Sequence, residues 1–131
     1  MYNPPAWTLQ MLLSSLLLTV SAQVVPSAST GLLTAGQLKD KCESSGAADI
    51  SYCFAYIAGV YDTVHAYEAW LKLREFCAPT DVAQGDLRRA FIDYLDDKPG
   101  YRAGEAASVV VVALKQRYAC TSVEAAPVRR P

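Results

Sequence analysis

Residues 53 to 62 read CFAYIAGVYD, and the fold turns on what surrounds them. The stretch has the spacing of a helix, yet it holds Gly59 at its centre, closes on Asp62 and has almost no polar face. Glycine inside a helix costs about 1 kcal/mol relative to alanine, and a helix that is apolar all round is normally covered all round. Extended in both directions at 100° per residue, the helix resolves into three stripes. Ile50, Cys53, Ile57, Val60, Tyr61, Val64 and Leu71 make a core stripe. Ala55, Ala58, Gly59, Asp62, Ala66 and Ala69 make a stripe of small residues. Tyr52, Tyr56, Thr63, Tyr67 and Trp70 make a third, largely aromatic one. The pattern predicts the enclosed centre of a small bundle, with another helix passing close at Gly59. Asp62 then either accepts hydrogen bonds from a tyrosine hydroxyl, an arginine or the start of a neighbouring helix, or faces solvent at the rim; an unpaired carboxylate inside the contact would be expensive. The aromatic stripe is either further core or a homodimer or partner interface, where residues with an apolar body and a polar tip are enriched.

Working outward, Thr34-Ala35-Gly36-Gln37 has the Thr-x-x-Gln form of a capping box and opens a short helix ending near Ser44. Asp49 can cap the long helix, expected from Ile50 to Arg74, which at 1.5 Å per residue spans ~37 Å. Pro79 and Asp81 mark a turn. Leu87, Phe91, Tyr94 and Leu95 place a third helix from Gln84 to Asp97, stopped by Lys98-Pro99-Gly100. A fourth is expected from Ala103 to Tyr118; its Val109 to Val112 run suits a strand by propensity, but the alanines around it and its uninterrupted length favour helix.

The first 38 residues carry no charged side chain, and Met11 to Val20 (MLLSSLLLTV) precede Val20-Ser21-Ala22. This is the layout of a signal peptide, 1–22, cut after Ala22, although no Lys or Arg precedes the apolar run. An uncleaved anchor is the competing reading; about 20 apolar residues are needed to span, and Ser21, Gln23, Pro26 and Ser27 interrupt the run. Residues 23–32 read as a linker, 33–120 as one helical domain and 121–131 as a disordered tail. Twelve basic against thirteen acidic residues gives a net charge of -1, no electrostatic reason to expect nucleic acid or an anionic surface. No stable membrane insertion is expected after signal cleavage.

Cys42, Cys53, Cys77 and Cys120 all follow the expected cut, and an even count in an exported chain points to two disulfides. Separations of 11, 24 and 43 residues lack the close pairs of a zinc site. Short connections make successive helices antiparallel, which brings Cys42 to Cys53 and Cys77 to Cys120. The other pairings join opposite ends, beyond the ~7 Å that a bridge allows between Cα atoms. The expected class is therefore all-α, a bundle of four helices (up to five) stapled by two disulfides.

Catalysis is not expected. The lone His65 lies in mid-helix beside Asp62 and Glu68, the cysteines are read as oxidised, and no Gly-x-Ser-x-Gly occurs. Asp93, Asp96 and Asp97 resemble a solvated helix end. No phosphate loop, metal-ligand cluster or cofactor motif is present.

Leu38 and Cys42, the block from Cys53 through Tyr56, Ile57 and Gly59 to Asp62, Phe76-Cys77 with Pro79, Tyr94-Leu95 before Pro99, and Ala113-Leu114 with Cys120 together resemble the Rap/Tai family. Those are periplasmic immunity proteins against type VI secretion amidase effectors. The similarity covers roughly residues 33 to 120. Ala83 stands where a capping Thr is frequent, Ala119 where a Pro often precedes the last Cys, and Phe54 precedes Ala55 where a Gly is common. The resemblance implies a small all-α periplasmic protein, often a homodimer, that binds a papain-like peptidoglycan amidase and blocks its cleft as an enzyme inhibitor. Occlusion favours a preorganised loop. The segment Asp96, Asp97, Lys98, Pro99, Gly100, Tyr101, Arg102 is the first candidate, and Ala78 to Asp81, anchored by Cys77, the second. The rival function is a general envelope binding protein or acid-stress chaperone with no dedicated effector.

Overall fold

The computed structural model of the protein describes residues 31–121. The expected signal segment, most of the linker, and the tail beyond Thr121 lie outside the described residues. Four helices are present: α1 (Ala35–Glu43), α2 (Ala47–Leu71), α3 (Gln84–Asp97) and α4 (Ala106–Arg117), with a 3₁₀ turn (Pro99–Ala103) between the last two. Among the described residues there is no strand, only an isolated antiparallel bridge between Thr34 and Glu105.

Each short helix buries one face at helical spacing. α1 turns in Ala35, Leu38 and Cys42; α3 turns in Leu87, Ala90, Phe91, Tyr94 and Leu95; α4 turns in Ala106, Val109, Val110, Ala113 and Leu114. The valine run thus resolves as helix, with Val112 left outside. The capping box forms as expected: the Gln37 N–H donates to Thr34 Oγ1 at 3.2 Å, and the Thr34 N–H to Gln37 Oε1 at 2.9 Å. Two disulfides close the fold, Cys42–Cys53 and Cys77–Cys120, the pairing that the helix order predicts.

The long helix departs from expectation in several ways. It begins at Ala47 with Gly46 as N-cap. Asp49, expected to cap it, lies in its first turn and accepts from Lys41 Nζ at 2.9 Å and Ser44 Oγ at 3.2 Å, tying α2 back to α1. These bonds, the one from Lys41 foremost, hold the Asp49 carboxyl below the ordinary range. The helix ends at Leu71 rather than Arg74, because Lys72 takes the left-handed conformation at φ 54°. The fourth helix starts at Ala106, not Ala103, because the residues before it are wound into the 3₁₀ turn.

Nor is α2 enclosed. It has 25 residues, against 9, 14 and 12 for α1, α3 and α4. At 1.5 Å per residue the partners reach only ~13, ~21 and ~18 Å along its ~37 Å, which leaves its end overhanging, and they pack on one side of it. That side presents Cys53, Ile57 and Glu68, with Val60, Tyr61 and Val64 packed against the core. Leu71, assigned to the core stripe, is exposed at the overhanging end. The close helix approach predicted at Gly59 is absent within the chain: a Cβ placed there would meet nothing within 4 Å. Asp62 is exposed as well.

Candidate partner-binding surface

The connection from α3 to α4 begins where Pro99 fixes the backbone at the start of the 3₁₀ turn. Four of its side chains, Asp96, Asp97, Lys98 and Arg102, make ion pairs or hydrogen bonds. Asp96 receives Lys39 Nζ at 3.0 Å, and the same ammonium reaches Glu43 at 2.6 Å. Burial pulls the Lys39 ammonium down, but hydrogen bonds and charge from Glu43 and Asp96 outweigh it and hold its pKa above the ordinary lysine value. Lys98 donates to Gln116 on α4 and lies 4.6 Å over the Tyr94 ring. Asp97 is exposed, 3.6 Å from the Lys98 ammonium. Arg102 pairs with Asp40 on α1 at 2.8 Å.

Backbone contacts complete the attachment. The Ala35 N–H donates to Gly104 O at 2.8 Å and the Ala106 N–H to Leu33 O at 3.0 Å. At Gly36, a Cβ would come within 3.1 Å of the Arg102 carbonyl, so a glycine permits this close approach. Tyr101 stands half-exposed at the tip, its ring 5.6 Å from that of Tyr94. Burial, with Tyr101 alongside, pushes the Tyr94 hydroxyl above the usual tyrosine range. A groove of about 430 Å³ runs between α3 and α4, lined by Asp93, Tyr94, Asp97, Gln116 and Arg117 among others. The turn is therefore a polar segment attached to α1 and α4, with one exposed aromatic, beside a groove between α3 and α4. Asp81 is exposed in the second candidate turn, where the Val82 N–H donates to Pro79 O at 3.1 Å; no hydrogen bond or ion pair among the described residues joins it to the first.

The aromatic stripe faces outward. Tyr52, Tyr67 and Trp70 are 44%, 54% and 72% exposed, which removes the reading of the stripe as core. Tyr56 is half-buried; burial first, then the nearby Glu105 and Tyr52, raise its pKa. Around Gly59 the exposed side of α2 is formed by Ala55, Asp62, Thr63 and Ala66.

Three polar residues missed by sequence reasoning hold the scaffold. Glu68 is buried, and its Oε1 accepts the Glu75 N–H at 2.6 Å and the Phe76 N–H at 3.4 Å, while Oε2 lies 2.8 Å from His65 Nδ1. His65 packs edge-on to Tyr61 and Phe76. Arg88 donates through Nε at 2.9 Å, and through a second nitrogen, to Cys42 O, satisfying a carbonyl at the end of α1; it also lies 5.8 Å over Phe54. Lys39, buried against Asp96 and Glu43, is the third. Only Glu68 had a signal in the sequence, since it continues the Tyr61 and Val64 face.

All four cysteines are in disulfides, so none is free as a nucleophile. Among the described residues no group of three or more His, Cys, Asp or Glu side chains is placed to hold a metal ion. The described surface presents a turn tied to its neighbours, a groove and an exposed aromatic face.

A family model for Rap1a immunity proteins matches residues 34–120, from the capping threonine to the last cysteine. The chain belongs to the Rap1a immunity proteins. Among curated proteins no relative matches it. The Rap1a match takes in both disulfides, all four helices and the pinned turn. Membership and the two disulfides point to an exported protein that meets a toxin effector, in a family that generally does no catalysis. Among the described residues no helix is long and apolar enough to cross a membrane.

Proposed function

We propose that this Rap1a-family protein is periplasmic, released by cleavage after Ala22, and protects its cell by binding a papain-like peptidoglycan amidase delivered by type VI secretion. The turn from Asp96 to Arg102 enters the amidase cleft, and the protein itself catalyses nothing. The observation that carries this reading is the attachment of that turn through Asp96–Lys39, Lys98–Gln116 and Arg102–Asp40, which leaves Tyr101 exposed. A projection fixed before binding loses little conformational entropy when it docks. The turn at Asp81 contributes a second, smaller contact.

A second copy covers the middle of the α2 face. The space beside Gly59 is open within the chain, and Tyr52, Ala55 and Ala66 flank it, small and aromatic residues that suit a close helix crossing. Sedimentation at rising concentration should show a dimer that Gly59→Leu dissociates; a wild-type chain that stays monomeric throughout removes this part.

The main test is protection in cells. An amidase encoded beside this protein, directed to the periplasm, should lyse cells that lack the protein and spare cells that export it, and the two should co-purify. Lysis that proceeds unchanged in the presence of the exported protein refutes the proposal.

A further inference from the structure

The end of α2 carries a feature that neither the pinned turn nor the Gly59 face uses. Trp70, Leu71 and Leu73 are 72%, 63% and 39% exposed, and Tyr67 stacks edge-on to Trp70 at 5.4 Å. Lys72 and Arg74 alternate with the leucines, are exposed, and make no ion pair among the described residues. The acidic groups of the same segment are neutralised: Glu75 by Lys115, while Glu68 is buried with His65 and two backbone N–H groups.

This tip is held, not loose. The Leu73 N–H donates to the Glu68 carbonyl at 3.2 Å, the Glu75 and Phe76 N–H groups bind the Glu68 carboxylate, and the Cys77 N–H reaches Tyr118 O at 2.7 Å. A helix end held by these bonds that presents one tryptophan, one tyrosine, two leucines and two unpaired cations matches an interfacial layer of anionic headgroups over acyl chains. Tryptophan and tyrosine favour that boundary, leucines reach beneath it, and lysine and arginine extend their stems along it with the charge toward phosphate.

We propose that the Trp70–Arg74 tip rests on an anionic phospholipid surface, as a peripheral contact without insertion of a helix across the bilayer. A second copy fits the tip poorly. A two-fold contact centred there sets Lys72 and Arg74 against their own equivalents, and a crossing at Gly59 leaves Trp70 ~16 Å away along the helix. The export reading determines only which leaflet the tip would meet.

The test uses the oxidised chain from Gln23 onward, in which Trp70 is the one tryptophan. Vesicles are phosphatidylcholine alone or an equimolar mixture with phosphatidylglycerol. Binding to the mixed vesicles, with a blue shift of Trp70 emission, is expected, and weak binding to phosphatidylcholine. Replacing both cations (Lys72→Gln with Arg74→Gln) should weaken partitioning about 30-fold without changing the helical circular dichroism, and salt should weaken the wild-type chain likewise. Equal binding by the doubly substituted chain, or no shift of Trp70 emission, overturns the proposal. So does a blue shift that follows protein concentration without vesicles, which would mean that a second copy covers the tip. The vesicle result does not depend on the amidase, so this proposal and the immunity reading can fail separately.

Discussion

Replacing Glu68 by alanine tests the account of the scaffold at the residue on which α2 and the following segment both depend. The carboxylate is buried and accepts the Glu75 N–H at 2.6 Å and His65 Nδ1 at 2.8 Å; the Phe76 N–H, at 3.4 Å, adds little. Each good hydrogen bond to a charged group is worth about 1.5–3 kcal/mol. Part of that is offset because the mutant no longer buries a charge. The net expectation for Glu68→Ala is a loss of about 3 kcal/mol, a large fraction of the ~5–15 kcal/mol that holds a domain of this size together. Glu68→Gln keeps a carbonyl acceptor for the Glu75 N–H and should lose about 1 kcal/mol. Urea unfolding at neutral pH, with both disulfides oxidised, measures both variants through the midpoint at constant slope. Amide exchange should show Glu75 and Phe76 losing protection in the alanine variant while Phe91 keeps its own. An alanine variant within about 0.5 kcal/mol of the wild type, the size of an ordinary surface change, refutes the reasoning. A glutamine variant as damaged as the alanine one does so too.

Other outcomes follow from the same geometry. Limiting reductant should open Cys77–Cys120 before Cys42–Cys53, because the second pair is fully buried and the first is partly exposed; alkylation and peptide mapping read the order. Removing Cys77–Cys120 reopens a loop of about 44 residues and should cost roughly 4 kcal/mol in the chain-entropy model, checked by denaturation of Cys77→Ser with Cys120→Ser. Stability should fall in alkali. The raised Lys39 pKa stabilises the fold fully below the unfolded value and loses that contribution as pH rises through the folded one. The tyrosines at 56, 61 and 94, raised chiefly by burial, ionise first in the unfolded chain and add to the loss. A melting temperature that stays level from pH 9 to about 11 contradicts both, since the unfolded groups titrate near 10. Asp40→Asn frees Arg102; as an exposed pair it should change stability by less than about 1 kcal/mol, while calorimetry with the proposed amidase should show modestly weaker binding because one of the ties on the turn is lost.

Much of the fold was legible because local chemistry and global packing agree. The Thr34–Gln37 box sets the start of α1, the Leu87–Phe91–Tyr94 spacing sets α3 from Gln84 to Asp97, and helix order alone selects the disulfide pairing. The environment of α2 was not legible. Its composition states that every side is apolar, but whether a side is covered depends on where the other helices pack: Gly59 faces away from them, while Trp70 and Leu71 lie at the overhanging end. Asp49 has the residue type of a cap, yet Gly46 begins the helix and Asp49 binds Lys41 instead. For the candidate surface, Pro99 gave the turn, whereas its anchors Lys39 and Asp40 lie more than fifty residues earlier, at a separation no local pattern reports. Whole-chain charge concealed the tip at Lys72 and Arg74, since a net charge of -1 averages over clusters of either sign.

The measurement that bears most directly on the account is an inhibition titration of the proposed amidase partner on peptidoglycan, with the oxidised wild-type protein and with Tyr101→Ala. The account predicts that amidase activity disappears near one equivalent of wild-type protein and that Tyr101→Ala, folded to the same stability, needs a clear excess. Full amidase activity at an excess of the wild-type protein, or identical curves for the two, would contradict it.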